Sequence, residues 1–315
     1  MKRAKHITFF SLLLSLACLC CLPTVASAGE TVIGVVMTGN TPYYTVMHDA
    51  FSKTLNSMLP AGKKVRSIIQ KPFPDPIALS NAARKLIAAD VDLIVTYGSP
   101  ATLAVINEDS GIPIIYAGVY DPEAIHAKGP EITGCGYKVH LSSLFRHLRT
   151  LKPIATLSVV YSTLEEDSVR QVNELRALTK EQGVGLTQIN VKSIRDIKNI
   201  DPKVGGDALF VTGSAIVNSW IDEVMAVFKG NRPTVVSIFP DLAEVGFIIT
   251  LFQSPEEQGE KAAAMVVRVL QGEQPKNIKP ELLKNTELVF NLKEARSMGD
   301  INPINLIAEA TRVIK

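Results

Sequence analysis

Two segments of this chain repeat one another. Asp92-Leu-Ile-Val-Thr-Tyr-Gly98-Ser99 aligns without gaps on Asp207-Ala-Leu-Phe-Val-Thr-Gly213-Ser214, each an apolar run that enters a Gly-Ser turn and then an amphipathic stretch. The next strand repeats as well: Pro113 opens a run ending at Asp121, and Pro233 opens one ending at Asp241. Gly34-Val-Val-Met-Thr38 pairs in the same way with Ser158-Val-Val-Tyr-Ser162. Three matches in one order, at offsets of about 115 to 124 residues, point to two similar α/β lobes. Between the matches, Val/Ile-rich runs alternate with amphipathic stretches, the pattern of βαβ units around parallel sheets. Strands are expected at 31–37, 65–69, 93–96, 114–116, 157–161, 186–190, 208–211, 234–237 and 246–250. Helices are expected at 44–59, 77–89, 101–107, 141–151, 165–182, 216–228 and 255–270.

Lys2, Arg3 and Lys5 precede an uncharged apolar run from Ile7 to about Leu22, which ends in small residues at Ala26 and Ala28. This is the layout of a secretory signal peptide over residues 1–28, cleaved after Ala28, so the mature chain is expected outside the cytoplasmic membrane, in the periplasm. The Leu16-Ala17-Cys18 stretch leaves a form lipid-anchored through Cys18 as the alternative. Of four cysteines, Cys18, Cys20 and Cys21 fall in this segment, and Cys135 is left without an intramolecular partner. With 33 basic and 31 acidic residues spread along the sequence, there is no basic stripe for a nucleic acid.

The stretches from Val91 to Ala101, from Ile112 to Pro122, from Glu260 to Gly272 and from Asn285 to Ala295 resemble the ABC-transporter substrate-binding proteins of the tryptophan/tyrosine-type group. The resemblance covers essentially the whole mature chain. It implies the type I periplasmic binding fold: two Rossmann-like lobes with parallel sheets joined by a three-strand hinge. One lobe would hold residues 29–135 and 246–286, the other 136–245 and 287–315. The resemblance also implies a small-molecule ligand, an ABC permease in the cytoplasmic membrane as partner, and a monomer. One departure stands out, since Ser162-Thr163-Leu164 occupies the place of the family's Asn-Pro-Gly.

No G-x-S-x-G elbow, Walker A loop, H-E-x-x-H motif or Cys pair with metal-ligand spacing occurs, so neither an enzyme nor a metal or cofactor site is expected. Gly134-Cys135-Gly136 lacks the third glycine of a dinucleotide fingerprint and reads as a turn. In open α/β sheets ligands lie beyond the carboxyl ends of the strands. There this chain has Thr38, Asn40, Thr41, Tyr43, Gly98, Ser99, Thr102, Tyr120, Asp121, Ser162, Thr163, Gly213, Ser214, Phe239 and Asp241, which form the candidate ligand set. Hydroxyls and free N–H groups at helix N-termini suit an anion, although Ser and Thr also cap helices without binding anything. None of these strand-end loops carries Arg or Lys. A phosphate or dicarboxylate usually needs such a cation, so the ligand is read as a single carboxylate or an uncharged molecule. Tyr43, Tyr120 and Phe239 favour an apolar or aromatic part. The expected ligand is an aromatic or branched amino acid, with Asp121 as the ammonium partner or, equally, the cap of an Asp-Pro turn. Glu165, Glu166 and Asp167 are read as complementing a helix dipole, with ligand contact by Glu165 as the alternative. Transport with a permease is one use of such a protein; presentation of the ligand to a membrane receptor kinase is the other, and sequence does not separate them.

Overall fold

The computed structural model describes residues 30–60, 62–240, 242, 245–299 and 301–315. The signal segment with Cys18, and Asp241 of the candidate set, lie outside the described residues.

The first half of the chain lays down β1 (Thr31–Met37), α1 (Pro42–Met58), β2 (Val65–Gln70), α2 (Pro76–Ala88), β3 (Leu93–Tyr97), α3 (Ser99–Ile106), β4 (Ile114–Val119) and β5 (Ile132–Gly136). The helices start where local chemistry tells them to. Pro76 sits at the first position of α2, and Asp75 accepts from the amides of Ile77 and Ala78, both at 3.0 Å. After β5 come α4 (Leu141–Leu151), β6 (Thr156–Tyr161), α5 (Glu166–Glu181), β7 (Gly185–Asn190), α6 (Ile194–Lys198), β8 (Ala208–Val211), α7 (Ala215–Asn218), α8 (Ile221–Phe228), β9 (Thr234–Ser237) and β10 (Ile249–Phe252). The chain closes with α9 (Pro255–Leu270), β11 (Glu281–Leu282), β12 (Glu287–Asn291), α10 (Leu292–Arg296), α11 (Ile304–Glu309) and β13 (Arg312–Ile314).

These strands form two sheets, β11-β5-β4-β3-β1-β2 and β13-β12-β10-β9-β8-β6-β7. The order 2-1-3-4-5 of the first reappears as 7-6-8-9-10 in the second, so the matched sequence segments occupy matched positions. Among the described residues the named strands all pair in parallel except β10 with β12. Both faces of each sheet are covered, which is why the central strands are apolar without alternation. In the first lobe Val35 and Val95 face α1 and α9, packing with Tyr44, Met47, Phe51, Ala263 and Val266. Val36 and Ile94 face α2 and α3, with Leu79, Ala83, Leu86 and Val105. In the second, α4 and α5 cover Val159, Phe210 and Phe290 with Leu144, Leu148, Val172 and Leu175.

Three sequence expectations change. The strand placed at 246–250 begins at Ile249, which pairs with Val236 of β9 and Phe290 of β12. It therefore belongs to the second sheet, and the chain returns to the first lobe after Phe252 rather than at residue 246. Gly134-Cys135-Gly136 is strand, not turn. A Cβ at Gly134 would lie 2.2 Å from the Tyr116 carbonyl oxygen, and one at Gly136 would lie 2.4 Å from Pro122, so these glycines serve close packing. The helix expected at 216–228 is two helices. Asn218 Nδ2 and Ser219 Oγ donate to the carbonyls of Ser214 and Ala215 at 2.8 Å, side-chain bonds of the kind that compete with a continuing helix.

The two lobes are joined by three short crossings, 137–140, 253–254 and 283–286. Among the described residues no helix is long and apolar enough to cross a membrane.

Candidate functional site

The carboxyl ends of β3 and β4 in the first lobe meet those of β6, β8 and β9 in the second, and an acid in the first turn of α5 bridges them. Asp167, in the first turn of α5, is 7 % exposed and reaches across to the other lobe. Its Oδ2 accepts from Ser99 Oγ at the N-terminus of α3 and from the amide of Tyr120 at 3.2 Å. Burial pushes the Asp167 carboxyl up to about 6, against the hydrogen bonds from Ser99 and Tyr120 and the charge of Arg170. Glu165 stays within its own lobe. Its carboxylate accepts from Ser214 Oγ, from the Ala215 amide at 2.9 Å and from the Ile216 amide at 3.2 Å, so an acid of the chain itself occupies the start of α7. Burial raises its carboxyl to about 7, opposed by those three bonds.

Aromatic groups complete the junction. The ring of Tyr43, from α1, stacks on Phe239 beyond β9, with centroids 4.8 Å apart and planes 17° apart. The Tyr43 hydroxyl accepts from Gln258 Nε2 of α9 at 2.9 Å, and Tyr137 of the first crossing lies edge-on to Tyr120 at 5.5 Å. Gln171, one turn beyond Asp167, takes the Gly213 amide on Oε1 at 2.8 Å.

Of the sequence-derived candidates, Tyr43, Ser99, Tyr120, Gly213 and Phe239 are brought together here. Thr38, Thr102, Ser162 and Ser214 are buried but bonded within their own lobes. Thr38 Oγ1 accepts from the Ala101 amide at 3.0 Å, Thr102 Oγ1 donates to the Gly98 carbonyl at 2.8 Å, and Ser162 Oγ accepts from the Leu164 amide at 3.3 Å. Gly98, at φ +87°, lets the chain turn beneath Tyr44, whose hydroxyl would be 2.4 Å from a Cβ there. Thr41 is buried beside Tyr43, with no hydrogen-bond partner for its hydroxyl. Asn40 and Thr163 are exposed, and Thr163 bonds with Asn190 at 3.0 and 3.2 Å. Asp121 caps its turn through the Ala124 amide at 3.2 Å and has Lys138 Nζ at 3.5 Å and Arg170 Nη1 at 3.7 Å. Two cations do reach this region, Arg170 from α5 and Lys138 from the first crossing, neither of them from the loops read in the sequence.

Sequence reasoning did not select Asp167, Gln171 or Gln258. The acids at the start of α5 looked like ordinary dipole complements, and Gln258 arrives from 215 positions away from Tyr43, with no local signal. Among the described residues no group of His, Cys, Asp and Glu could hold a metal ion.

Two lobes of this strand order, joined by three crossings, constitute the type I periplasmic binding fold. Residues 56–314 match the family described as ABC transporter substrate binding protein, and the chain belongs to that family. A tyrosine-binding protein of Clostridioides difficile is 23 % identical over 239 residues, spanning 73 % of this chain and 69 % of its own length. Among solved structures, an ABC domain from Streptococcus pneumoniae in complex with L-Trp superposes with a TM-score of 0.83 at 21 % identity, over 90 % of this chain and 100 % of that one. The ligand-free, open structure of a substrate binding protein with adhesive properties from Clostridium difficile gives 0.64 at 22 % identity, over 90 % and 99 %.

Proposed function

We propose that this protein is the extracytoplasmic binding component of an ABC importer and that it closes on a small carboxylate ligand, an aromatic or branched amino acid, between its lobes. The observation that carries this reading is the Tyr43–Phe239 stack, because one ring belongs to each lobe. Hinge opening separates the two faces and exposes a rigid aromatic surface; closure buries it again. Ser99, Tyr120 and Gly213 supply polar groups at the same junction. The names of the relatives, one a tyrosine-binding protein and one a complex with L-Trp, support an aromatic amino acid. The protein acts in the periplasm as a monomer, hands its ligand to a permease in the cytoplasmic membrane, and performs no chemistry on it.

A thermal-shift screen of the purified protein against the amino acids, aromatic acids and purines tests the reading. A ligand at a hundred times its Kd adds about 2.7 kcal/mol to the stability of the bound form. The expected result is a rise of several degrees with an aromatic amino acid; a rise with purines alone overturns the ligand class.

A further inference from the structure

Most polar atoms at the lobe junction are bonded to the protein, and a few buried ones are not. Asp167 Oδ2 is engaged by Ser99 and Tyr120, while Asp167 Oδ1 is buried without a hydrogen-bond partner. Gln171 is fully buried, and its orientation is set by the Gly213 amide, which needs an acceptor and takes Oε1. That leaves Gln171 Nε2, with two N–H groups, unpartnered. Thr41 Oγ1 and Gln258 Oε1 are unpartnered in the same way. Arg170 Nε, the remaining such atom among the described residues, belongs to a partly exposed side chain already paired with Asp121.

Asp167 and Gln171 are four residues apart on α5 and share a face. The Gln171 amide nitrogen would be 3.3 Å from a Cβ at Gly213, and the edge of the Phe239 ring 3.1 Å from it, so amide and ring flank the same glycine. The face therefore presents an anionic acceptor and a two-proton donor one helical turn apart, beside stacked aromatic rings. An α-amino acid carries the complementary groups on one carbon. We infer that Asp167 Oδ1 receives the α-ammonium group of the ligand and that Gln171 Nε2 donates to its α-carboxylate, with the side chain directed to Tyr43 and Phe239. The assignment rests on the amino-acid reading above and makes it specific. It gives the ammonium to Asp167, whose Oδ1 has no partner, rather than to Asp121, which accepts from the Ala124 amide and is ion-paired with Lys138 and Arg170. The charge of Arg170 is also felt at Asp167, but without an ion pair to it.

The two roles separate by calorimetric titration of wild type, Asp167→Asn and Gln171→Glu with three sets of probes. These are L-tyrosine and L-tryptophan, their deaminated propanoate analogues, and the decarboxylated amines tyramine and tryptamine. In Asp167→Asn the amide oxygen can still accept from Ser99 and Tyr120, but the amide nitrogen turns a donor toward the ligand. The expected result is a loss of at least ~10-fold for the amino acids and the amines, the scale of a hydrogen bond to a charged group. Binding of the propanoates by Asp167→Asn should stay intact, which also shows that the variant folds. Gln171→Glu keeps the acceptor for Gly213 and removes the donor, so it should weaken the amino acids and propanoates while sparing the amines. If Asp167→Asn keeps the wild-type preference for L-tyrosine over its propanoate, the assignment fails and the amino-acid reading survives. If wild type prefers the propanoates, the ammonium role fails while aromatic carboxylate binding stands. If wild type binds none of the six, the assignment fails together with the aromatic ligand class.

Discussion

The side chain of Gln253 is hydrogen bonded to the backbone of Lys138 in both directions, Oε1 accepting from the Lys138 amide at 3.1 Å and Nε2 donating to its carbonyl at 3.4 Å. Gln253 lies in the second lobe crossing and Lys138 in the first. The same Nε2 donates to the Leu283 carbonyl in the third crossing at 3.0 Å. One buried amide thus ties the three connections on which any closure must turn.

Replacing Gln253 with Leu leaves the Lys138 amide and the Leu283 carbonyl without these partners, at a cost of about 1 to 3 kcal/mol per buried group. The expected outcome is a lower urea midpoint and a larger radius of gyration by X-ray scattering in the absence of ligand. An unchanged radius of gyration would show that the amide does not hold the crossings together.

Stability should fall as pH rises from about 5 to 8. Burial holds the Glu165 carboxyl near 7 and that of Asp167 near 6, both above the usual carboxylate range, so the folded protein binds these protons more tightly than the unfolded chain does. That contribution is complete below the ordinary carboxylate pKa and is lost as pH climbs through the folded values. Melting temperatures across this range should show the decline, with a shallower slope in Glu165→Gln. Equal slopes in the two proteins would assign the pH dependence to other groups.

Helix α9 approaches α1 closely at Gly259, where a Cβ would lie 2.1 Å from the Met47 carbonyl oxygen and 3.0 Å from the Phe51 nitrogen. Both are backbone atoms that cannot rotate aside. Gly259→Ala should cost at least the ~1 to 3 kcal/mol of an overpacked core, measured by urea unfolding. A cost below about 0.5 kcal/mol would mean that the two helices can part without loss.

Cys135 is buried in β5, and burial pushes its thiol up to about 12. A thiol so protonated and shielded is a poor nucleophile. Iodoacetamide at pH 8 should leave the native protein unmodified and alkylate it in urea, as mass spectrometry would show. Cys135→Ser should keep ligand affinity within about threefold. Rapid alkylation of the native protein would place the thiol on a mobile or open surface.

The sequence by itself determined that the chain holds two repeated α/β lobes. Continuous Val/Ile runs such as β3 and β8, each followed by Gly-Ser and a helix, can bury both faces only in a covered parallel sheet, and their repetition repeats the sheet. It also named the loops that meet, because strand ends and helix starts are local features; Ser99, Tyr120, Tyr43 and Phe239 were all visible in this way. What the tertiary structure decided was which polar atoms remain available there. Ser214 looked free for a ligand until Glu165 was found bonded to it, and Asp167 looked like a dipole complement until its second oxygen was found buried and unpartnered. The strand at Ile249 likewise declared its sheet only through its partners Val236 and Phe290. Hydrogen-bond capacity is allocated among groups far apart in the chain, and Tyr43 with Gln258, like Lys138 with Gln253, meets only after the chain has crossed between the lobes.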